Sequence, residues 1–204
     1  MRSMEQQLRR SGRQPYTEDA ARAAAGVWER AAGEGLLDVA VTTVDSPVGP
    51  IQLAATPRGL VRLAFGRPAN PEAFAAELTA VSPRVLEAPS YFDGIRRELD
   101  EYFEGRRTRF ELPLDWTLTG GFGRRVLRET ARIPYGKVST YRDVAAAAGS
   151  PRGSRAAGNA LGANPIAIVV PCHRVLRAGG LIGEYGGGSE MKAALLQLEG
   201  AITT

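Results

Sequence analysis

A chain of 204 residues that is 44% hydrophobic and 24% charged is large enough for one substantial core or two small domains. Its apolar runs fall far short of the roughly 20 residues a membrane-spanning helix needs. The opening MRSMEQQLRR is polar with no apolar stretch behind it, so no secretory signal is expected and a cytoplasmic location is. The formal charge of +4 is unevenly placed: residues 115–204 hold 11 Lys and Arg against 6 Asp and Glu, and residues 1–114 hold 15 against 16. The positive excess, of the kind a polyanion-binding surface needs, lies in the second half. One cysteine rules out an intrachain disulfide, and with one histidine it cannot furnish the usual four-ligand zinc site. No metal or other cofactor is expected.

In chain order, residues 1–36 mix Arg, Glu and Ala and predict a leader with one short helix, opened by Thr17, stopped near Gly33 and Gly35 and docked through Trp28. From Asp38 the periodicity changes. β-branched runs broken by Ser46, Pro47, Gly49 and Pro50 and then by Pro57 and Gly59 predict three antiparallel strands joined by tight turns. PEAFAAELTAV and SYFDGIRRELDEYFEG carry apolar residues at three and four spacings and predict two amphipathic helices, the second ended by Gly105.

A Pro-containing link, FELPLDWTLTGG, leads into a helical half. FGRRVLRETARI predicts a helix with Phe122, Val126 and Ile133 inward, stopped by Pro134, Tyr135 and Gly136. TYRDVAAAAG and SRAAGNALGA predict two short helices around an SPRG turn, a pattern shared by helix-turn-helix units and by Ala-rich helices that simply pack closely. The continuously apolar run 166–170 reads as a buried strand, and MKAALLQLEGA as a last helix with Leu195, Leu196 and Leu198 inward. The expected fold class is α+β: a small N-terminal antiparallel sheet with helices, followed by a mostly helical, helix-turn-helix-containing domain that carries the cysteine.

That cysteine, Cys172, directly precedes the single histidine, His173, between Pro171 and Arg174. A lone cysteine is more often a small buried hydrophobe than a nucleophile. A thiol reacts as thiolate, however, and imidazole or cationic neighbours lower its pKa, so His173 and Arg174 are expected to push Cys172 toward thiolate. Glu199 in the closing helix is a candidate to orient His173. These residues alone are compatible with a Cys-His thiol hydrolase acting on a peptide or ester.

PCHRV, preceded by NPIAIVV and followed by a GEYGGG turn and a helix ending LEG, resembles the O6-alkylguanine-DNA alkyltransferases, the direct-reversal DNA repair proteins. The likeness covers about residues 38–200 and includes SPVGPIQLAAT, IPYGKVSTYRDVA and SRAAGNALGANP. It implies a ribonuclease-H-like domain over 37–114 and a DNA-binding alkyltransferase domain over 115–204. It also implies a monomer, acting on alkylated double-stranded DNA, that moves the alkyl group of O6-methylguanine, and of O4-methylthymine, irreversibly to its cysteine. By this resemblance Cys172 is the alkyl acceptor, His173 activates it through a bound water, and Glu199 orients His173. Asn164 is the hinge asparagine between recognition helix and active-site strand. Arg155 fills the space left by the extruded base, Tyr141 rotates the nucleotide out and protonates the departing guanine, and Arg174 belongs with the DNA-contacting residues. Leu161, Val175, Tyr185 and Gly186 are pocket positions around the guanine.

Three departures from the family accompany the likeness. A single cysteine excludes both the zinc-binding phosphotriester-repair domain of one branch and the structural zinc of some eukaryotic members. Gly186 stands where several relatives carry serine, leaving only a backbone donor and predicting a roomier pocket. The leader to about residue 36 has no counterpart. Two non-enzymatic readings fit less well. The family's alkyltransferase-like, damage-binding branch lacks the acceptor cysteine present here, and a plain transcriptional helix-turn-helix needs base-reading side chains where the second helix offers mostly Ala, Gly and Leu.

Overall fold

The first three β-branched runs pair in register as strands β1 (Val39–Val44), β2 (Ile51–Thr56) and β3 (Gly59–Phe65), antiparallel to one another as expected. They belong to a computed structural model that describes residues 38–66 and 71–202, with Arg30 and Glu34. The leader helix read within residues 1–36, with Thr17, Trp28, Gly33 and Gly35, falls outside the described residues. Every residue of the central strand β2 is buried, because both faces of the sheet are covered. Alternation sends Ile51, Leu53 and Ala55 into the main core and Ala54 into a smaller one with Val39, Val61 and Leu78.

A fourth strand corrects the all-antiparallel reading. From β3 the chain crosses through α1 (Pro71–Thr79) to β4 (Val85–Glu87), which pairs parallel to β1, giving the order β3-β2-β1-β4. Parallel neighbours require such a crossover, and three residues are too few to announce themselves by periodicity. A 3-10 turn (Pro89–Phe92) then opens α2 (Asp93–Phe103), which buries Leu99 and Tyr102. Gly105, at φ 71°, follows the end of α2 in the left-handed region.

The second half is helical. Val126, Leu127 and Thr130 are the buried face of α3 (Gly121–Thr130), which stops a turn earlier than read, leaving Ile133 in the loop beyond it. Two short helices, α4 (Tyr141–Ala147) and α5 (Ser154–Gly162), pack on each other and on α3 around a turn at residues 148–153. The Thr140 hydroxyl accepts the Asp143 N–H at 3.2 Å and so caps α4. A two-residue parallel pair, β5 (Ser139–Thr140) and β6 (Val175–Leu176), precedes the last helix, α6 (Ser189–Leu198). Leu195 and Leu196 are buried on α6, and Leu198 is half-buried.

The run 166–170 is not a strand. Ile166 forms one bridge to Leu63 of β3, where the Leu63 N–H reaches the Pro165 carbonyl at 2.7 Å, and the chain then turns. The Val169 N–H donates to the Ala167 carbonyl at 2.9 Å around Ile168, which sits at φ 69°. This γ-turn strains a β-branched residue by about 1–3 kcal/mol. Ile166, Ile168 and Val170 are nevertheless all fully buried, so apolarity reported their burial correctly and their backbone wrongly. One core joins the halves, taking Leu53, Phe92 and Tyr102 from the first and Val126, Ile166 and Leu195 from the second. Among the described residues no helix is long and apolar enough to cross a membrane.

The halves also meet along the edge of β3. Leu60 N–H donates to Pro113 O and Asp115 N–H to Leu60 O, each at 2.9 Å. Gly59, at φ 129°, lets that link pass, since a Cβ there would overlap the Pro113 carbonyl. Gly59→Ala is therefore expected to destabilise the protein by about 3 kcal/mol, read as a lower urea midpoint. Gly94→Ala, a position where a Cβ meets nothing, serves as its control.

Candidate active site

Cys172 begins a short 3-10 turn (Cys172–Arg174) and reaches it through a second γ-turn, its N–H donating to Val170 O at 2.8 Å around Pro171 at φ −80°, ψ 64°. Asn164, just beyond α5, holds this corner. Its Nδ2 donates to Val170 O at 2.8 Å and to Cys172 Sγ at 3.1 Å, while its Oδ1 accepts the Ile166 N–H at 3.1 Å. One amide thus pins both the strained loop and the sulfur.

Behind the cysteine lies a buried ionic cluster. His173 Nε2 is 2.9 Å from Glu199 Oε1. A carboxylate only accepts, so Nε2 carries the proton and Nδ1 is the basic nitrogen; Nδ1 is buried with no partner among the described residues. Arg174 grips the same carboxylate with Nε on Oε2 at 2.8 Å and Nη2 on Oε1 at 2.9 Å, and its Nη1 donates to Ile133 O at 2.5 Å. The Tyr102 hydroxyl donates to Oε1 at 2.7 Å, and the Gly136 N–H approaches Oε2 at 3.4 Å.

Arg174 was expected among DNA-contacting residues. It belongs instead to this cluster, and the little of its side chain that is exposed, 7%, opens on a different cavity beside Arg109, Phe110 and Tyr135. The expected resting thiolate is corrected as well. Burial pushes the Cys172 thiol up, and the Asn164 hydrogen bond and the Lys192 charge offset this only in part. The cationic neighbour is committed to Glu199, and burial holds the His173 imidazole below its usual pKa against the pull of Glu199. Cys172 rests as a neutral thiol beside a neutral imidazole.

Cys172 opens on a cleft of about 640 Å³, within the size range of small-molecule sites. Tyr141, Arg155, Leu161, Tyr185 and Gly186, all singled out in the sequence, line it. Val175 does not; it is fully buried and its carbonyl accepts a 2.6 Å hydrogen bond from Lys192 Nζ. Tyr141 is the first residue of α4, its ring facing Gly158 and its hydroxyl facing Gly183, where an added Cβ would stand 2.9 Å away. Tyr185 packs edge-on to His173 at 6.1 Å and against Phe65 of β3 at 5.5 Å.

Sequence reasoning missed several lining residues, including Ser154, Asn159, Arg177 and Glu184, and also missed Lys192 and Tyr102. A signal existed for Lys192, since Lys192, Leu195, Leu196 and Glu199 share one helical face and all are buried. Among the described residues no group of three or more His, Cys, Asp or Glu could hold a metal ion.

The cluster also links stability to pH. Burial tends to raise the Glu199 pKa, but the hydrogen bonds and charges of His173 and Arg174 outweigh it and hold the carboxyl at about 2, below the ordinary 4.5. A lowered carboxyl pKa contributes stability that is fully present above the unfolded value and lost as pH falls through the folded one. His173, also lowered, adds a loss of the same sign as pH falls through its unfolded value of 6.5. The urea midpoint is expected to fall from pH 7 toward pH 5, and again from pH 4.5 to pH 2. Glu199→Gln should flatten the second fall while lowering the midpoint at neutral pH.

Two family models match this chain: the 6-O-methylguanine DNA methyltransferase ribonuclease-like domain over residues 39–116 and the DNA binding domain of the same family over residues 121–201. A methylated-DNA--protein-cysteine methyltransferase of Mycobacterium tuberculosis is 40% identical over 157 residues, covering 77% of this chain and 90% of that protein. One from Methanosarcina barkeri is 36% identical, covering 76% and 94%. The crystal structure of Mycobacterium tuberculosis OGT in complex with DNA superposes with a TM-score of 0.68 at 37% identity, covering 81% of this chain and 94% of that one. With both models matched in order and the relatives spanned over nine-tenths of their length, the chain belongs to the 6-O-methylguanine DNA methyltransferase family.

Proposed function

We propose that this protein repairs DNA by direct reversal, transferring the alkyl group of O6-methylguanine, and in second place of O4-methylthymine, once and irreversibly to Cys172. The observation that carries the reading is the only thiol of the chain opening on a 640 Å³ cleft, with Asn164 on its sulfur and a His173–Glu199 pair behind it. The names of the relatives and the DNA held by the Mycobacterium tuberculosis structure support it.

The chemistry follows from the resting state. A water between Cys172 and the unpartnered His173 Nδ1 would pass the thiol proton to the imidazole, and Glu199 would stabilise the imidazolium that forms. The sulfur then attacks the alkyl carbon, an S–C bond forms, the C–O6 bond breaks, and guanine leaves with a proton delivered by Tyr141; the Tyr141 phenolate regains a proton from solvent as the His173 imidazolium releases the thiol proton to it. A thioether offers no easy leaving group, so the sulfur is spent after one transfer. Asn164 sets the sulfur's position, while Leu161, Tyr185 and Gly186 shape the base pocket.

O6 is inaccessible inside a duplex, so the nucleotide must leave the stack, at about a few kcal/mol, less for a poorly paired base. In this reading α4, the turn and α5 act as a helix-turn-helix, and exposed Arg155 on the first turn of α5 wedges into the gap. Residues 37–114 form a ribonuclease-H-like domain and 115–204 the DNA-binding domain, in a cytoplasmic monomer whose partner is alkylated double-stranded DNA.

Incubation with O6-methylguanine DNA should add one methyl mass to the Cys172 peptide at one equivalent per protein; multiple turnovers or no mass gain would sink the transferase reading. Cys172→Ala should lose transfer and keep DNA binding. For Arg155→Ala, single-turnover repair of duplex is expected to slow about tenfold or more, with repair of single-stranded substrate affected less, because only the duplex must be held open. Equal losses on both would contradict the wedge.

A further inference from the structure

We infer that Tyr102, from the N-terminal half, is a positioning residue for the transfer: its hydroxyl caps Glu199 so that His173 stays neutral, with Nε2 protonated and Nδ1 free to take the Cys172 proton. The inference rests on the proposed reaction and adds a residue to it from across the molecule. Tyr102 lies on α2, 97 residues from Glu199 in sequence, is fully buried, and donates to the same Oε1 that receives His173 Nε2. The ring is fixed edge-on to Phe103 at 5.4 Å and to Tyr135 at 6.2 Å, and it also packs against Phe110 at 5.3 Å. Among the described residues its hydroxyl thus has one partner and one direction.

Donors on one oxygen compete. Each hydrogen bond that Oε1 receives withdraws charge from it, so Tyr102 weakens the pull of Glu199 on the His173 proton. Without Tyr102 the carboxylate would be a stronger acceptor, the imidazolium would be better stabilised, and His173 would protonate at higher pH, blocking Nδ1. Burial and the Glu199 charge push the Tyr102 pKa far up, so the phenol keeps its proton and can only donate to the carboxylate. The other polar groups acting here are Arg174 on both Glu199 oxygens, the Gly136 N–H on Oε2, Tyr135 from the loop after α3, Lys192 from α6, and Tyr185 opposite His173. Of these side chains only Arg174 shares the carboxylate, and as a permanent cation it holds the charge of Glu199 without reporting on protonation.

A single histidine makes the test direct. Ring nitrogen NMR of untagged protein should show the Nε2–H tautomer at neutral pH. In Tyr102→Phe the His173 titration midpoint should rise by about half a pH unit or more. The acid limbs of methyl transfer and of Cys172 alkylation by iodoacetamide should rise with it. Placing 3-fluorotyrosine at 102, a stronger donor of nearly the same shape, should move all of them down, and this variant carries the test if Tyr102→Phe does not fold. Midpoints unchanged in the folded variants, whatever their thermal stability, would overturn the role of Tyr102. The NMR and iodoacetamide readouts need no DNA. Shifts in the variants alongside a wild-type protein that accepts no methyl group would therefore overturn the repair reading and leave the positioning role standing.

Discussion

A buried carboxylate must be surrounded by donors or give up its charge. Glu199 is 5% exposed and meets this demand with Tyr102 from α2, Gly136 from the loop after α3, and His173 and Arg174 from the turn beside Cys172. Hydrogen bonds to a charged group contribute roughly 1.5–3 kcal/mol each, and losing one partner exposes the rest to the desolvation penalty. The C-terminal end of α6 therefore locks three other segments together. The same contacts that hold the carboxyl ionised set the tautomer of the only histidine.

A second constraint acts on the other side of the sulfur. The loop from Asn164 to Cys172 is tied to β3 through Leu63 and Pro165, bent by the strained turn at Ile168 and clamped by the Asn164 amide. Strain of this kind persists only where packing over-determines the backbone, and the fully buried Ile166, Ile168 and Val170 provide that packing. The N-terminal half thus grips the reactive corner twice, through the edge of β3 and through Tyr102. Burial on this side keeps the Cys172 thiol above its ordinary pKa, with the Asn164 hydrogen bond offsetting it only in part.

The elements legible in the sequence were those whose signal is local. Strands β1 to β3 showed their turns, α2 and α3 their spacing, and α4 and α5 their shortness around a turn. Strand β4 was invisible because three residues carry no period and its parallel partner comes from a crossover. The run 166–170 misled because continuous apolarity records burial and is silent about direction. Arg174 misled for a related reason: an arginine beside a proposed DNA site reads as a DNA contact until a buried carboxylate is found to hold it.

The amino-acid sequence by itself determined the adjacency of the single cysteine and single histidine, Cys172 and His173, the placement of basic residues in the second half, the α+β succession of elements and, through PCHRV and its flanks, the family. Only the tertiary structure decided that Tyr102 meets Glu199, that Lys192 is buried beside the site, that Arg174 faces inward and that the thiol rests protonated. The division has a physical cause. Periodicity and turn chemistry act over a few residues and are written in order along the chain. Hydrogen-bond partners and local polarity, which set protonation, come from segments up to 97 residues apart that only folding brings together.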